Sequence, residues 1–220
     1  MENASPSPPT KRTRRKEARP GEIAAAALNL FVTQGFQATR MEDVARQAGV
    51  SKGTVFRYFV TKDELFKAVV MEHISPRIID WRARVAAFEG PTGDLIQAGM
   101  AAWWHEVGNS PVGSIARLFM HEVRHIPELA VFYQATAINP GREIVHSIVQ
   151  RGVQRGEFRH MDAAAVQALV MAPLLMLATT HADPMSRHIL LAPEQTPEQL
   201  IQQMADVIVN GLRTPPGTQT

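Results

Sequence analysis

The chain has 220 residues, of which 45% are hydrophobic and 20% are charged, and this composition is typical of a soluble globular protein rather than a disordered one. Cysteine is absent, which excludes disulfides, cysteine-ligated zinc and thiol catalysis. The charge is unevenly distributed, because residues 1–62 carry 11 Lys and Arg against 5 Asp and Glu, whereas the remaining residues carry 12 against 16. A basic first segment on an acidic body indicates that the first segment meets a polyanion.

No apolar run follows the basic N-terminus in the manner of a secretory signal peptide. The longest apolar stretch, residues 163–178, contains Gln167 and Pro173 and is shorter than a membrane span requires. The sequence therefore predicts a soluble cytoplasmic protein that does not bind a membrane.

Most of the chain is predicted to be helical. Residues 1–16 are rich in Pro, Ser, Lys and Arg, and we expect them to form a disordered basic arm. Apolar residues then recur at helical spacing without a run of alternating β-branched residues, which predicts an all-α fold. Pro20 is expected to begin the first helix and Gly35 to follow its end. Later helices are predicted over about 63–74, 76–88, 93–107, 112–125, 128–156 with a bend near Pro140, 162–181 and 197–213.

Three segments have the capping-box pattern, in which a Thr hydroxyl accepts from the third backbone N–H of a helix and a Glu or Gln there reaches back. These segments begin at Thr39, Thr61 and Thr196. Between the first two lies a turn over residues 48–51, where Ser51 is placed to cap the helix that follows.

Residues 41–60 have the spacing of a helix-turn-helix, in which two short helices cross closely. Ala45 supplies a small residue at the crossing, Gly49 tolerates a positive φ in the turn, and Val55 anchors the second helix. Donors and cations suited to base edges and phosphates in a major groove face outward from the second helix. They are Ser51, Lys52, Gly53, Thr54, Arg57 and Tyr58. Glycine costs a helix roughly 1 kcal/mol, and a close approach to DNA would explain that cost at Gly53.

The stretch from Ala24 to Leu65 contains GF-x-x-T, VA-x-x-AGVSKGT, YF and K-x-E-L in this order. In these motifs and their spacing the chain resembles the TetR family of bacterial transcriptional regulators. The resemblance implies phosphate contacts from Thr39, Thr54, Tyr58 and Lys62, and base contacts from Lys52, Gly53 and Arg57. Phe56 stands where the family usually has Tyr, which removes one phosphate hydrogen bond. We expect Arg40, in place of a common small hydroxyl residue, to supply a compensating cation.

The body is expected to form a dimer, because a single helix-turn-helix makes too few contacts to be specific and two are normally joined on a palindrome. The last two helices carry apolar stripes suited to a four-helix bundle between two chains, and the family resemblance implies this arrangement. Packing within one chain is the alternative explanation of the stripes. The expected interface residues are Ala165, Leu169, Met176, Leu200, Met204 and Val207.

Large, adaptable side chains are frequent in the body, and such residues line small-molecule pockets as well as ordinary cores. The family resemblance implies an effector pocket over roughly residues 76–181. The expected lining residues are Trp81, Met100, Trp103, Trp104, Phe119, Phe132, Tyr133 and Met171. The two DNA-binding domains of a dimer must be spaced to match the operator. An effector that prefers a dimer state with a different spacing would release the dimer from DNA, and the helix over 63–74 would transmit the change.

Residues 121–125 read HEVRH, which matches the HExxH signature of zinc proteases. A protease also needs a third protein ligand, which the sequence does not place, and the adjacent Arg124 would oppose a dication. One alternative function is therefore a helical metalloenzyme built on His121, Glu122 and His125, and another is a DNA-binding regulator whose body senses no ligand.

The sequence favours a non-enzymatic regulator that binds double-stranded DNA at a palindromic operator, acts as a repressor, responds to a small effector and uses no metal or other cofactor. Residues 17–62 are the predicted DNA-binding domain, 63–213 the predicted effector-binding and dimerisation domain, and 214–220 a flexible tail. The basic arm could follow a minor groove or add non-specific attraction to DNA, and the sequence leaves both open.

Overall fold

The computed structural model describes residues 11–181 and 185–214. In these residues the chain forms eleven α-helices and no β-strand, which confirms the predicted all-α fold. The helices are α1 (Lys11–Gln34), α2 (Met41–Gln47), α3 (Lys52–Tyr58), α4 (Lys62–His73), α5 (Ser75–Ala87), α6 (Thr92–Trp103), α7 (Gly113–His121), α8 (Pro127–Tyr133), α9 (Asn139–Gln154), α10 (Ala163–Thr180) and α11 (Pro197–Leu212). π-Helical turns follow α6 at Trp104–Gly108 and α8 at Gln134–Ile138, and a 3₁₀ turn over Val123–His125 follows α7.

The first helix is longer than predicted. α1 begins at Lys11, inside the segment 1–16 for which the sequence predicts a disordered arm. Arg and Lys are strong helix formers, and five of the six residues from 11 to 16 are Arg or Lys. Pro20 lies inside α1, where its missing N–H removes one backbone hydrogen bond. Gly35 follows the end of α1 with φ 86°, as predicted, and residues 1–10 and 215–220 lie outside the described residues.

Local capping explains why several later helices begin where the sequence predicts. The Ser51 hydroxyl accepts from the backbone N–H of Thr54 at 3.1 Å and caps α3. Thr61 caps α4 through the N–H of Glu64, also at 3.1 Å. The reciprocal capping box at Thr196 forms completely at the start of α11.

Two hydrophobic cores hold the helices together. The first core joins α1–α4 to α7 and α8, and it contains three phenylalanine rings, Phe31, Phe36 and Phe66, whose centroids lie 5.2 to 6.4 Å apart. The second core joins α6, α9, α10 and α11. Because Leu129 and Tyr133 are buried in the first core, apolar contact continues across the predicted domain boundary at residue 62.

By length and composition alone, α10 meets the requirement for a membrane-spanning helix. Its Val166, Val170, Leu174 and Leu177 side chains are buried in the second core. The central helix of a soluble protein has the same composition, and the buried face of α10 is accounted for in this way.

Candidate DNA-binding surface and ligand cavity

α2 and α3 cross as the helix-turn-helix spacing predicts. Gly49 has φ 65° in the turn between them, a conformation that glycine adopts without strain. Ala45 and Val55 are buried at the crossing and belong to the first core. This packing leaves the opposite side of α3 facing outward.

The predicted DNA-contacting residues of α3 share that outward side. Ser51, Lys52, Gly53 and Arg57 are exposed, and Thr54 and Tyr58 are half-buried. The hydroxyl oxygens of Ser51 and Thr54 lie 2.8 Å apart, so one donates to the other at the start of α3. The structure thus brings six of the predicted residues together on one surface, which we call the α3 surface (Ser51–Tyr58).

Lys52 is paired with an acid on the neighbouring helix. Its Nζ lies 2.5 Å from Oε1 of Glu42 on α2, and 5.5 Å from the ring centroid of Phe56. The hydrogen bond from Lys52 lowers the pKa of Glu42. More than half of each charged side chain is exposed, so the pair is weak and exchangeable. DNA phosphates or bases can therefore compete with Glu42 for the ammonium group.

We expect Glu42→Gln to tighten binding to random-sequence duplex DNA by up to about fivefold, because it frees Lys52 and removes a negative charge beside the α3 surface. Fluorescence anisotropy with a labelled duplex at two salt concentrations measures the change. Glu89→Gln removes an exposed carboxylate after α5 and serves as the matched control. Equal affinities for wild type, Glu42→Gln and the control would show that Glu42 does not restrain Lys52.

Thr39 does not reach this surface. Its side chain is only 2% exposed, and its hydroxyl donates to the carbonyl of Gly35 at 2.7 Å. The predicted capping box at Thr39 is therefore wrong: Arg40 is the N-cap residue of α2 and makes no side-chain capping bond. The carbonyl groups at the end of α1 need donors, and the Thr39 hydroxyl satisfies one of them instead of capping α2. Arg40 itself is exposed.

Lys62 holds the turn between α1 and α2. Its Nζ donates to the carbonyls of Phe36 at 2.6 Å and Gln37 at 3.0 Å, and lies 4.6 Å from the Phe36 ring centroid. Partial burial lowers the pKa of this ammonium group, an effect that Asp63 and Glu122 oppose. The predicted phosphate contact from Lys62 remains a prediction that would use the ammonium proton left over by these two bonds.

Glu122 joins the same turn to the body of the protein. Its Oε2 accepts from the backbone N–H of Gln37 at 3.0 Å. An ideal Cβ at Gly35 would lie 2.8 Å from Oε1 of Glu122, the movable end of that side chain, so the positive φ is the stronger reason for glycine here. Lys62 and Glu122 together therefore fix residues 35–37, which we call the α1–α2 turn.

The HExxH sequence does not lie on one helix. α7 ends at His121, Glu122 has φ −120° and ψ −50°, and residues 123–125 form a 3₁₀ turn. The break removes the spacing that would place both imidazoles on one face. His121 and His125 are exposed, and the described residues contain no group of three His, Asp or Glu side chains placed to hold a metal. Glu122 is instead engaged with the backbone of Gln37.

A cavity of about 450 Å³ lies in the body between α5, α6, α7, α9 and α10. Of the predicted lining residues, six border it: Trp81, Met100, Trp103, Phe119, Tyr133 and Met171. Trp104 does not, because it is fully buried in the second core and its Nε1 donates to Glu198 at 2.8 Å. Phe132 packs against the first core, with Lys67 Nζ 5.9 Å from its ring centroid.

The cavity touches the first core at a pair of aromatic rings. Phe119 and Tyr133 stack with their centroids 4.2 Å apart and their planes at 19°. Both border the cavity and both pack in the first core, where burial raises the pKa of Tyr133 well above its usual range. A molecule in the cavity would therefore contact side chains that also support the helix-turn-helix.

Part of the predicted dimer interface forms an uncovered apolar face. Leu169 is 57% exposed and Met176 41% exposed on α10, and Val207 is 71% exposed on α11. Ala165 is also exposed, whereas Leu200 and Met204 are half-buried against the second core. Of the predicted interface residues, Leu200 and Met204 thus pack within the chain and the other four are exposed. We call these four the α10–α11 face (Ala165, Leu169, Met176 and Val207).

Comparison with known families covers both parts of the chain. Residues 23–69 match bacterial regulatory proteins of the tetR family, and residues 90–208 match the tetracyclin repressor-like C-terminal domain. The chain belongs to the TetR family. It is a DNA-binding transcriptional regulator, and not an enzyme.

Individual relatives of this TetR-family regulator match to different extents. The repressor KstR2 of Rhodococcus jostii is 24% identical over 153 residues, which are 69% of this chain and 74% of KstR2. The activator FasR of Mycolicibacterium smegmatis is 37% identical over 59 residues, and the chain spans about a quarter (27%) of FasR. The structure of FadR from Bacillus subtilis in complex with stearoyl-CoA has a TM-score of 0.72 at 17% identity, covering 88% of this chain and 99% of FadR.

Three arginines at the cavity of the regulator were not predicted: Arg77, Arg84 and Arg142. Arg84 pairs with Asp80 and Glu106, and Glu106 also accepts from Trp81 Nε1 at 2.8 Å. An arginine on an amphipathic helix is usually solvated, and its spacing alone does not show that it borders a cavity. The sequence signal that could have found them is the recurrence of Arg77, Trp81 and Arg84 at helical spacing on α5.

Proposed function

We propose that two copies of this chain form a cytoplasmic homodimer that represses transcription from a palindromic operator and is released by a small, largely apolar effector. Residues 17–62 would bind DNA, and residues 63–213 would dimerise and bind the effector. The observation that carries the proposal is the contact between the cavity and the first core at Phe119 and Tyr133. A ligand in the cavity can shift the helix-turn-helix from one arrangement to another only if it binds the protein more tightly in the second arrangement than in the first.

Repression is favoured over activation by the extent of the matches. The repressor KstR2 matches 69% of this chain, whereas the activator FasR matches 27%. The sign of regulation depends on where the operator lies relative to a promoter, and a transcription assay on the selected operator measures it directly.

The nature of the cavity supports an apolar effector. Its volume of about 450 Å³ is within the roughly 300–1,000 Å³ of small-molecule pockets. Val166, Val170, Met171 and Leu174 of α10 border it together with the aromatic residues above. FadR, which has a similar fold, holds stearoyl-CoA, and this makes a long acyl chain the first effector to test.

Dimerisation through the α10–α11 face predicts that Leu169→Glu yields a monomer. In a symmetric dimer each substitution occurs twice, and burying a Leu contributes about 1.5–3 kcal/mol, so the dimer dissociation constant should rise at least about a hundredfold. Analytical ultracentrifugation measures this change, and operator binding should weaken with it. Ile79→Glu, at an apolar residue of α5 that is 70% exposed, is the matched control. A Leu169→Glu variant that sediments like wild type would place the dimer interface elsewhere.

In vitro selection of the full chain against random duplex DNA at about physiological salt tests the function as a whole. We expect an enriched inverted repeat that is bound in steps of one dimer, and a lower operator affinity when stearoyl-CoA is added. Enrichment without any response to stearoyl-CoA or to other apolar compounds would favour a regulator that senses no ligand. Absence of enrichment would contradict operator recognition.

A further inference from the structure

All the charged side chains that border the cavity are cationic. They belong to Arg77, Arg84 and Arg142, and among the described residues no Asp or Glu borders the cavity. A pocket for a purely neutral molecule gains nothing from cations at its wall, because they lose hydration when the ligand covers them. The sign of the wall charge therefore points to a ligand that carries negative charge.

The three arginines differ in how their charge is compensated. Arg84 forms ion pairs with Asp80 at 2.5 Å and with Glu106 at 2.6 Å. Arg77 donates to the backbone carbonyls of His73 and Glu106. Arg142 donates only through Nε, to Oε1 of Gln167 at 3.3 Å, and in the described part of the chain its two terminal nitrogens have no hydrogen-bond or ion-pair partner. Of the three arginines, Arg142 thus has the guanidinium group that is best able to bind an anion.

Arg142 lies at the rim of the cavity. Its side chain is exposed in the first turn of α9, and Gln167 beside it on α10 is half-buried. Met100 and Leu174, which also border the cavity, are almost fully buried. The wall therefore changes from polar at the rim to apolar inside, which suits a molecule with a charged end and a long apolar end.

Acidic residues next to the rim do not cancel this charge. Glu143 follows Arg142 in the chain, but its carboxylate is 2.5 Å from Arg82 on α5. The Arg82–Glu143 pair is close to neutral as a unit, so the charge of Arg142 remains for a ligand. A planar guanidinium matches carboxylate and phosphate oxygens in a two-point hydrogen bond.

We propose that the effector is an anionic amphiphile, a long acyl chain with a carboxylate or phosphate head group, whose head group binds Arg142 and Gln167 while the chain fills the cavity. This proposal rests on the proposed function, in which the cavity holds the effector. A free fatty acid and an acyl-CoA share this chemistry, and they differ in the charge and size of the head group.

Three ligands with the same eighteen-carbon chain separate the possibilities: stearate, stearoyl-CoA and the neutral 1-octadecanol. Their binding to the full chain, each below the concentration at which it aggregates or separates from water, can be followed by fluorescence of Trp81 and Trp103, which border the cavity. We expect at least one anionic ligand to bind about tenfold or more tightly than the alcohol, since hydrogen bonds to charged groups are the strong ones. The better of the two anions identifies the head group.

Arg142→Gln should remove most of that preference, leaving the anions within about threefold of the alcohol, and Arg142→Lys should restore part of it because the charge is retained. Arg124→Gln removes an exposed arginine that does not border the cavity and that forms no ion pair with an acid in the described part of the chain, and it should keep the wild-type preference. Equal binding of all three ligands to the wild-type protein would overturn the head-group proposal while leaving the proposed function intact. If none of the three ligands binds, the proposal that the effector is a long-chain amphiphile is overturned. The operator selection described above would still test DNA recognition independently.

Discussion

Gly53→Ala is expected to weaken operator binding while leaving the protein as stable as wild type or more stable. Gly53 is exposed, and an ideal Cβ there would meet only Ser51 Oγ, at 3.9 Å, so the fold accepts the methyl group. Alanine also favours helix over glycine by up to about 1 kcal/mol. Against DNA the same methyl group would separate α3 from the groove, and a lost base contact costs roughly 1–3 kcal/mol, which is about 5- to 150-fold in affinity.

In Gly53→Ala the stability of the fold and the affinity for the operator are expected to change in opposite directions, so weaker binding cannot be explained by loss of folding. Urea unfolding should show an equal or higher free energy of unfolding, and anisotropy with the selected operator should show the higher dissociation constant. Gly211→Ala in α11 is the matched control, because a Cβ there meets nothing within 4 Å and the residue is far along the chain from the α3 surface. Operator affinity at the wild-type level in Gly53→Ala would mean that DNA does not approach α3 closely at this residue.

Glu122→Ala should largely uncouple the effector from the operator. Ala116, Phe119 and Met120 of α7 border the cavity, and α7 ends immediately before Glu122. The bond from Gln37 N–H to Glu122 then carries any displacement of α7 to the α1–α2 turn. Coupling between two sites is typically about 5- to 150-fold in affinity, and we expect the ratio of operator dissociation constants with and without ligand to fall to about twofold in this variant.

The flanking histidines provide the controls for this substitution. His121 and His125 are exposed, so His121→Ala and His125→Ala should retain the wild-type ratio, measured with whichever eighteen-carbon ligand binds best. A metal-dependent role for HExxH would give the reverse result, since both histidines would then be needed. An unchanged ratio in Glu122→Ala would show that coupling runs through other contacts, such as the Phe119–Tyr133 pair.

Features that depend on a few neighbouring residues were predictable from the sequence. The starts of α3, α4 and α11 follow from hydroxyl caps that bond to the N–H group three residues later. The end of α7 was not predictable in this way. Glu122 leaves the helix and bonds to Gln37, 85 residues earlier in the chain, and no local pattern records such a contact.

Side-chain direction limited the prediction of the cavity. Trp103 borders the cavity whereas Trp104 is buried in the second core, and Tyr133 borders the cavity whereas Phe132 does not. Adjacent residues on a helix point about 100° apart, so the two members of such a pair need not face the same space. The choice between them depends on where the neighbouring helices lie, and composition alone selects both.

The shared first core also sets an order of events during synthesis. The α3 surface is complete in sequence once α4 has been made, yet Leu129 and Tyr133 of α8 are needed to cover the apolar side of α4. At about 5–20 residues per second, the ribosome takes roughly 3–12 s to extend the chain from the end of α4 to the end of α8. During that interval the nascent chain leaves uncovered the side of α4 that α8 contacts in the finished protein. We therefore expect the helix-turn-helix to become fully stable only after α8 has been made.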